Sequence, residues 1–311
     1  MTIQQLIYFL AVARTRSFTR AAEQTHVAQP SLSKQIRALE KELGADLFSR
    51  TPGNIALTPP GEALLPVAER IMSDVDNARL EVQELAGLRR GRVRVGATPS
   101  VCTSVFADIL RRFHDMYPGI ELVVHENGSR DLTRDLVRGD LDLALVIAST
   151  RRNETALTSI PILRESLVVV EPNIPSAVVP LLSLENRPMV MFREGYDLRE
   201  TTLVACQHAG FRPTFAVEGG EMDAVLRFVE AGLGVAIVPS MVLAEHPDLS
   251  AATLDPPLHR TIALAHRSDV ALTHAARAFR TTLLDFLRTA DLPAGVELQN
   301  GGGSGDSGVR R

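Results

Sequence analysis

Leu32, Ile36, Leu39 and Leu43 fall on one stripe of a helix at about 100° per residue, and Pro30, Ser33, Lys34, Arg37 and Lys41 fall on the side opposite. Spacing of this kind belongs to a helix that packs on a small core by one face. The outer face carries hydroxyl and cationic groups, with Glu40 at its margin as the one nearby acid. Upstream, Phe18, Ala21, Ala22 and Thr25 form a second stripe whose alanines permit close approach of a partner helix. Ile3, Leu6, Ile7, Leu10 and Ala13 form a third. Three short helices that share one core, the last two joined by a tight turn, make a helix-turn-helix, whose second helix enters the major groove of DNA. A charged outer face alone is ordinary solvated surface. The alternation of small and large residues across two adjacent helices makes the reading specific.

Charge is uneven along the chain. Its 311 residues carry a formal net charge of −4, yet before residue 59 the bases Arg14, Arg16, Arg20, Lys34, Arg37, Lys41 and Arg50 face only Glu23, Glu40, Glu42 and Asp46. A basic head on an acidic body fits a DNA-binding module joined to something else. The 45% hydrophobic share supports globular cores in more than one domain.

From Thr58 a long helical pattern opens with prolines and ends at Gly87 or Gly91. Its apolar residues Leu64, Ala68, Ile71, Val75, Ala78, Val82 and Leu85 alternate spacings of four and three, a heptad seam suited to a partner helix. At about 1.5 Å per residue such a helix holds two heads apart at the separation of half-sites on DNA. The alternative is an amphipathic helix lying on the body.

After Gly91 strands and helices alternate: RVRVGA, SVFADILRRFHDMY, IELVVHE, RDLTRDLVRG and LDLALVI, then ESLVVV, MVMF, LRETTLVACQHAG, FAVE, EMDAVLRFVEAG and VAIVP, closing with TIALAH and HAARAFRTTLLDFLR. These βαβ units predict a mainly parallel sheet. Two such lobes with two crossing segments place a ligand cleft at their junction, at the carboxyl ends of strands. Thr98 and Ser100 end the first strand, where hydroxyls and a helix N-terminus receive an anion or simply cap the helix. Arg193 is a candidate carboxylate partner, or an ordinary exposed loop arginine. The tail LQNGGGSGDSGVRR is Gly/Ser-rich and is expected to be disordered.

The run SFTRAAEQTHVAQPSLSKQIRALEKELGADLFSR, followed by LTPPGEALL, resembles the N-terminal domain of the LysR-type transcriptional regulators, without a gap. The body, in RGDLDLALV and AGLGVAIVPS, is similar to the effector domain of that family, which looks like a periplasmic binding protein. The resemblance implies a winged helix-turn-helix at 1–58, a dimerising linker helix at 59–90, a two-lobed α/β effector domain at 91–295 and a disordered tail at 296–311. It implies promoter DNA, a small-molecule effector of unknown identity and a homo-oligomer, dimer or tetramer, as partners, with RNA polymerase a further one. The residues expected on DNA are Gln29, Pro30, Ser31, Ser33, Lys34, Arg37, Lys41 and, in the wing, Arg50. Gln29 pairs with adenine and Arg37 with guanine in the bidentate manner, while Lys34, Lys41 and Arg50 neutralise phosphates. The residues expected on the effector are Thr98, Ser100, Ser129, Ile147, Phe192, Arg193 and Tyr196.

This sequence departs from the family pattern in two places. Ala28 stands where a serine usually precedes Gln29, so a side-chain cap worth roughly 0.5–2 kcal/mol is missing, and Gln29 or Pro30 must start the helix. The wing TPGNIALT lacks a second basic residue near Gly53 or Asn54.

Other functions find less support. REGYDLRETTLVAC looks like the redox segment of peroxide-sensing family members, but Asp197 stands where the reactive cysteine does and Cys206 matches only the second. Without the attacking thiolate that disulfide switch cannot form in that way. His208 follows Cys206 by two on a helix, so the pair cannot chelate one metal. AGLGVAIVP lacks GxGxxG ahead of a helix. No enzyme, metal or cofactor is expected, and the alternative from another class is a solute-binding module with a helical head. No stretch approaches the ~20 apolar residues of a membrane span, the N-terminus lacks the basic region of a signal peptide, and two distant cysteines, Cys102 and Cys206, fit a reducing compartment. A cytoplasmic protein is expected.

Overall fold

The computed structural model describes residues 1–51, 54–84, 91–148 and 156–299. The chain divides into two compact units, Met1–Leu85 with Val137–Asp140, and Ala86–Leu136 with Leu141–Arg311.

In the first unit, helices α1 (Ile3–Thr15), α2 (Phe18–Gln24) and α3 (Gln29–Leu43) precede strands β1 (Phe48–Thr51) and β2 (Asn54–Leu57) and helix α4 (Pro59–Glu84). α1 starts on a capping box in which Thr2 Oγ1 accepts from Gln5 N and Gln5 Oε1 accepts from Thr2 N. Ser17 Oγ caps α2 by accepting from Arg20 N. α3 begins at Ala28 without a side-chain cap, with Pro30 in its first turn, and ends at Gly44, whose φ of +71° is the left-handed C-terminal conformation that glycine adopts freely. Leu32, Ile36 and Leu39 join Leu6, Phe9, Leu10, Val12, Ala21, Ala22, Leu47 and Phe48 in one core. The Phe9 and Phe18 rings lie 5.4 and 5.8 Å from that of Phe48.

Three expectations are corrected here. Ile3 and Leu43, at the ends of their stripes, are both 44% exposed, while Tyr8, Phe9 and Val12 are buried, so α1 inserts a wider face than its predicted stripe. Glu40 is not at the margin of the basic face: it is 6% exposed, and its carboxylate accepts from Leu47 N at 3.0 Å and Phe48 N at 3.4 Å. Those amides leave the turn into β1 without a ladder partner, and a buried amide requires an acceptor. The seam on α4 is divided: Leu64, Ala68 and Ile71 pack into the unit's own core, whereas Ala78 is exposed and Val82 is 71% exposed. Leu85 lies outside the described residues.

The second unit opens with β3 (Gly91–Ala97), the short helix α5 (Pro99–Val101), a π-helical turn at Cys102–Phe106, α6 (Ala107–Met116), β4 (Ile120–Glu126), α7 (Ser129–Arg138) and β5 (Leu143–Ile147). It continues through β6 (Leu157–Glu171), β7 (Val178–Pro180), β8 (Pro188–Met191), α8 (Asp197–His208), β9 (Thr214–Glu218), α9 (Met222–Glu230) and β10 (Ala236–Pro239). A 3-10 turn at Ser240–Glu245, β11 (Ser250–Arg267), α10 (His274–Thr289) and β12 (Val296–Leu298) complete it. The main sheet has the order β10-β6-β11-β5-β3-β4, with β7 on β11 and β12 on β6, and β8 pairs with β9 separately.

The sheet is mixed rather than mainly parallel. β3 runs parallel to β4 and β5, as βαβ units require, but β6 and β11 are antiparallel to each other, and to β10 and β5 respectively. These two long strands are the segments that pass from lobe to lobe, one in each direction, and an apolar run does not encode direction. A Cβ on Gly96 of β3 would stand 2.6 Å from Leu132 Cδ2 and 2.7 Å from Leu141 Cδ1, so any larger residue there requires those leucine side chains to shift. The expected tail begins too early: Val296–Leu298 is paired with Glu165, Arg164 and Leu163 of β6, and Val296 is buried. Residues 300–311 lie outside the described residues.

Candidate functional site

On α3, Gln29, Pro30, Ser31, Lys34, Arg37 and Lys41 are exposed and Ser33 is half-buried, on the side opposite the fully buried Leu32, Ile36 and Leu39. Among the described residues Lys34, Arg37 and Lys41 make no hydrogen bond or ion pair, so three cations project from one face with their charge unspent. Arg50 stands on β1 opposite Ile55. Its side chain, with Pro52 and Gly53 at the wing tip, lies outside the described residues.

In the second unit the expected effector residues gather at the carboxyl ends of β3, β4 and β5 and the start of α8. Thr98 and Ser100 are buried at the end of β3, and among the described residues the Thr98 hydroxyl makes no cap bond and no other hydrogen bond. Ser100 Oγ accepts instead from Arg260 Nη2 at 2.7 Å. Ser129 Oγ accepts from Ile147 N at 2.9 Å, and Ser129 N donates to Asp197 Oδ2 at 3.3 Å. The Phe192 and Tyr196 rings stack at 4.9 Å and 10°. Arg193, the expected carboxylate partner, is already taken, since its Nε donates to Glu221 Oε1 at 2.7 Å. Arg199 holds the same loop by donating to Phe192 O and to Glu218, each at 2.9 Å.

Several residues at this site escape a reading by pattern. Arg260 on β11 and Glu165 on β6 form a buried ion pair, 6% and 0% exposed at the side chain, with Nε to Oε2 at 2.8 Å. Glu165 also accepts from Met241 N at 2.9 Å. The signal was a charged residue inside each of two apolar strand runs, RESLVVV and HRTIALAH. Glu126 closes β4 opposite Ala97. Partial burial, then the charges of Glu221 and Asp223, hold its carboxyl above the usual carboxylate range. Burial also pushes the Tyr196 phenol up, against the pull of Arg260.

The cysteines are free. Burial pushes the Cys206 thiol up to about 11, and burial with the Glu126 charge pushes Cys102 up to about 12, so neither carries thiolate at neutral pH. Among the described residues no helix is long and apolar enough to cross a membrane.

Family models agree with this division of labour. The bacterial regulatory helix-turn-helix protein model of the lysR family matches residues 3–62, and the LysR substrate binding domain matches residues 86–288. The transcriptional dual regulator GltC of Bacillus subtilis is 31% identical over 293 residues, covering 92% of this chain and 97% of GltC. Among solved structures, a full-length variant of OxyR from Pseudomonas aeruginosa is similar with a TM-score of 0.71 at 26% identity, covering 96% of this chain and 99% of that one. Full-length CbnR in complex with its target DNA shares the fold with a TM-score of 0.67 at 23% identity, over 91% of this chain and 98% of that one. The chain belongs to the LysR family of bacterial transcriptional regulators, which bind DNA through the helix-turn-helix and an effector through the two-lobed domain, and which are not enzymes.

Proposed function

We propose that the outer face of α3 reads promoter DNA, with Gln29 and Arg37 on base edges, Pro30, Ser31 and Ser33 packed against the groove, and Lys34, Lys41 and Arg50 on phosphates. The observation that carries this reading is the unpaired, exposed state of Lys34, Arg37 and Lys41 on a helix whose opposite face is fully buried. Such cations are free to release counterions from DNA. The effector, a small molecule, binds where Thr98, Ser100, Ser129, Ile147, Phe192, Arg193 and Tyr196 converge, and shifts the balance between two arrangements of the lobes by differential affinity. The exposed half of the α4 seam pairs two or four copies, which gives each recognition helix a second half-site. The regulator works in the cytoplasm, and RNA polymerase is its partner at the promoter.

A mobility-shift assay at fixed salt, on the DNA upstream of the gene, tests the reading. Arg37→Ala is expected to lose about 1–3 kcal/mol of discrimination at one base pair while its circular dichroism stays that of the parent. Unchanged affinity overturns the assignment.

A further inference from the structure

We propose that Asp197 sets the charge class of the effector: its carboxylate fills the N-terminus of α7 and turns the cleft away from anionic ligands, towards ligands whose polar end is cationic. The inference rests on the reading of this cleft as the effector site.

The N-terminus of a ten-residue helix such as α7 is electropositive and presents free amides, which suits it to a carboxylate or phosphate. Here the anion is supplied from within. Asp197, the first residue of α8, accepts from Ser129 N at 3.3 Å, and the Ser129 hydroxyl already accepts from Ile147 N at 2.9 Å. One neighbouring ion pair spans the same junction, Arg130 with Glu200 at 3.5 Å. A ligand carboxylate arriving at α7 would therefore have to displace a tethered one.

The arginines of the site are not free to receive it. Arg260 is bound to Glu165, Arg193 to Glu221 and Arg199 to Glu218. Among the described residues Glu126 and Asp223 make no hydrogen bond or ion pair, and they are close enough to one another for the Asp223 charge to raise the Glu126 carboxyl. The site thus holds arginines that are all neutralised and carboxylates that are not. At the strand end next to Ala97, the register partner of Glu126, the buried Thr98 hydroxyl has no hydrogen-bond partner among the described residues. An ammonium or amidinium is the group that this set complements.

The test uses two probes of one shape and opposite charge, benzoate and benzylamine, titrated against the full-length protein with thermal unfolding as readout. In the parent, benzylamine is expected to raise the melting temperature at concentrations at least about tenfold lower than benzoate. In Asp197→Ala, and in Asp197→Asn, which keeps the size and loses the charge, the gap should narrow, because benzoate gains the α7 amide while Glu126 and Asp223 still favour the amine. The same gap in all three proteins, or no response to either probe, overturns the inference. Repeating the titration on the protein–promoter complex separates the two readings. If Asp197→Ala gains benzoate but DNA affinity never responds to either probe, Asp197 selects charge as proposed, and the cleft is not where the effector acts.

Discussion

Glu126 holds its proton more tightly in the folded chain than in the unfolded one, because partial burial and the charges of Glu221 and Asp223 disfavour its carboxylate. The sign follows from proton linkage. A carboxyl raised by folding stabilises the fold fully below its ordinary value of 4.5, and that stability is lost as pH rises through the raised folded value. Glu126→Gln removes the loss. Its melting temperature is expected above that of the parent at pH 7, with the two converging below pH 4.5; a parent at least as stable at pH 7 contradicts the assignment. At this scale the sequence was legible where a residue's role is local. Ala28 stood out as an absent cap, and the cap is absent. Arg260 and Glu165 were not legible, since their partnership spans β6 and β11 across 95 positions of chain and no period connects them.

Among the elements, α3 was the most readable, because a helix repeats its buried face every turn and Leu32, Ile36 and Leu39 suffice to phase it. Glu40 was misplaced for a related reason. Periodicity records which side chains are apolar, not which buried amides need an acceptor, and Leu47 and Phe48 are the amides that turn Glu40 inward. This carboxylate ties the recognition helix to the first strand of the wing. Glu40→Ala leaves two amides unpaired and is expected to cost about 1.5–3 kcal/mol of head stability, read as a lower urea midpoint with unchanged slope. A midpoint within error of the parent shows that the tie carries nothing. Strand direction in the second unit was likewise hidden. The apolar runs of β6 and β11 look like any buried strand, and only their pairing reveals that they are antiparallel.

For the molecule as a whole, the change of pattern at Gly91, from helices to alternating strands and helices, led to the expectation of a division there, whereas the compact units divide between Leu85 and Ala86, with Val137–Asp140 grouped with the first. The seam on α4 was legible as a seam but not as a shared one. Its first positions complete the head's core, and its later ones, Ala78 and Val82, stay exposed. Placing a charge at the most exposed of these tests what they are for. Val82→Glu is expected to lower the mass seen by sedimentation at micromolar concentration to that of a smaller assembly, with the head still folded. An unchanged mass removes the seam from the interface.

The route of β11 through the sheet also orders events during synthesis. The head's core draws on residues from Leu6 to Met72, so it can close soon after α4 has left the ribosome. The second unit cannot. β5 and β6 lie on either side of β11, which ends only at Arg267, so the middle of that sheet is missing until nearly the whole chain has been made. Contacts of such long separation form late. Each new copy therefore passes through an interval in which its recognition helix is already built and the cleft that governs it is not.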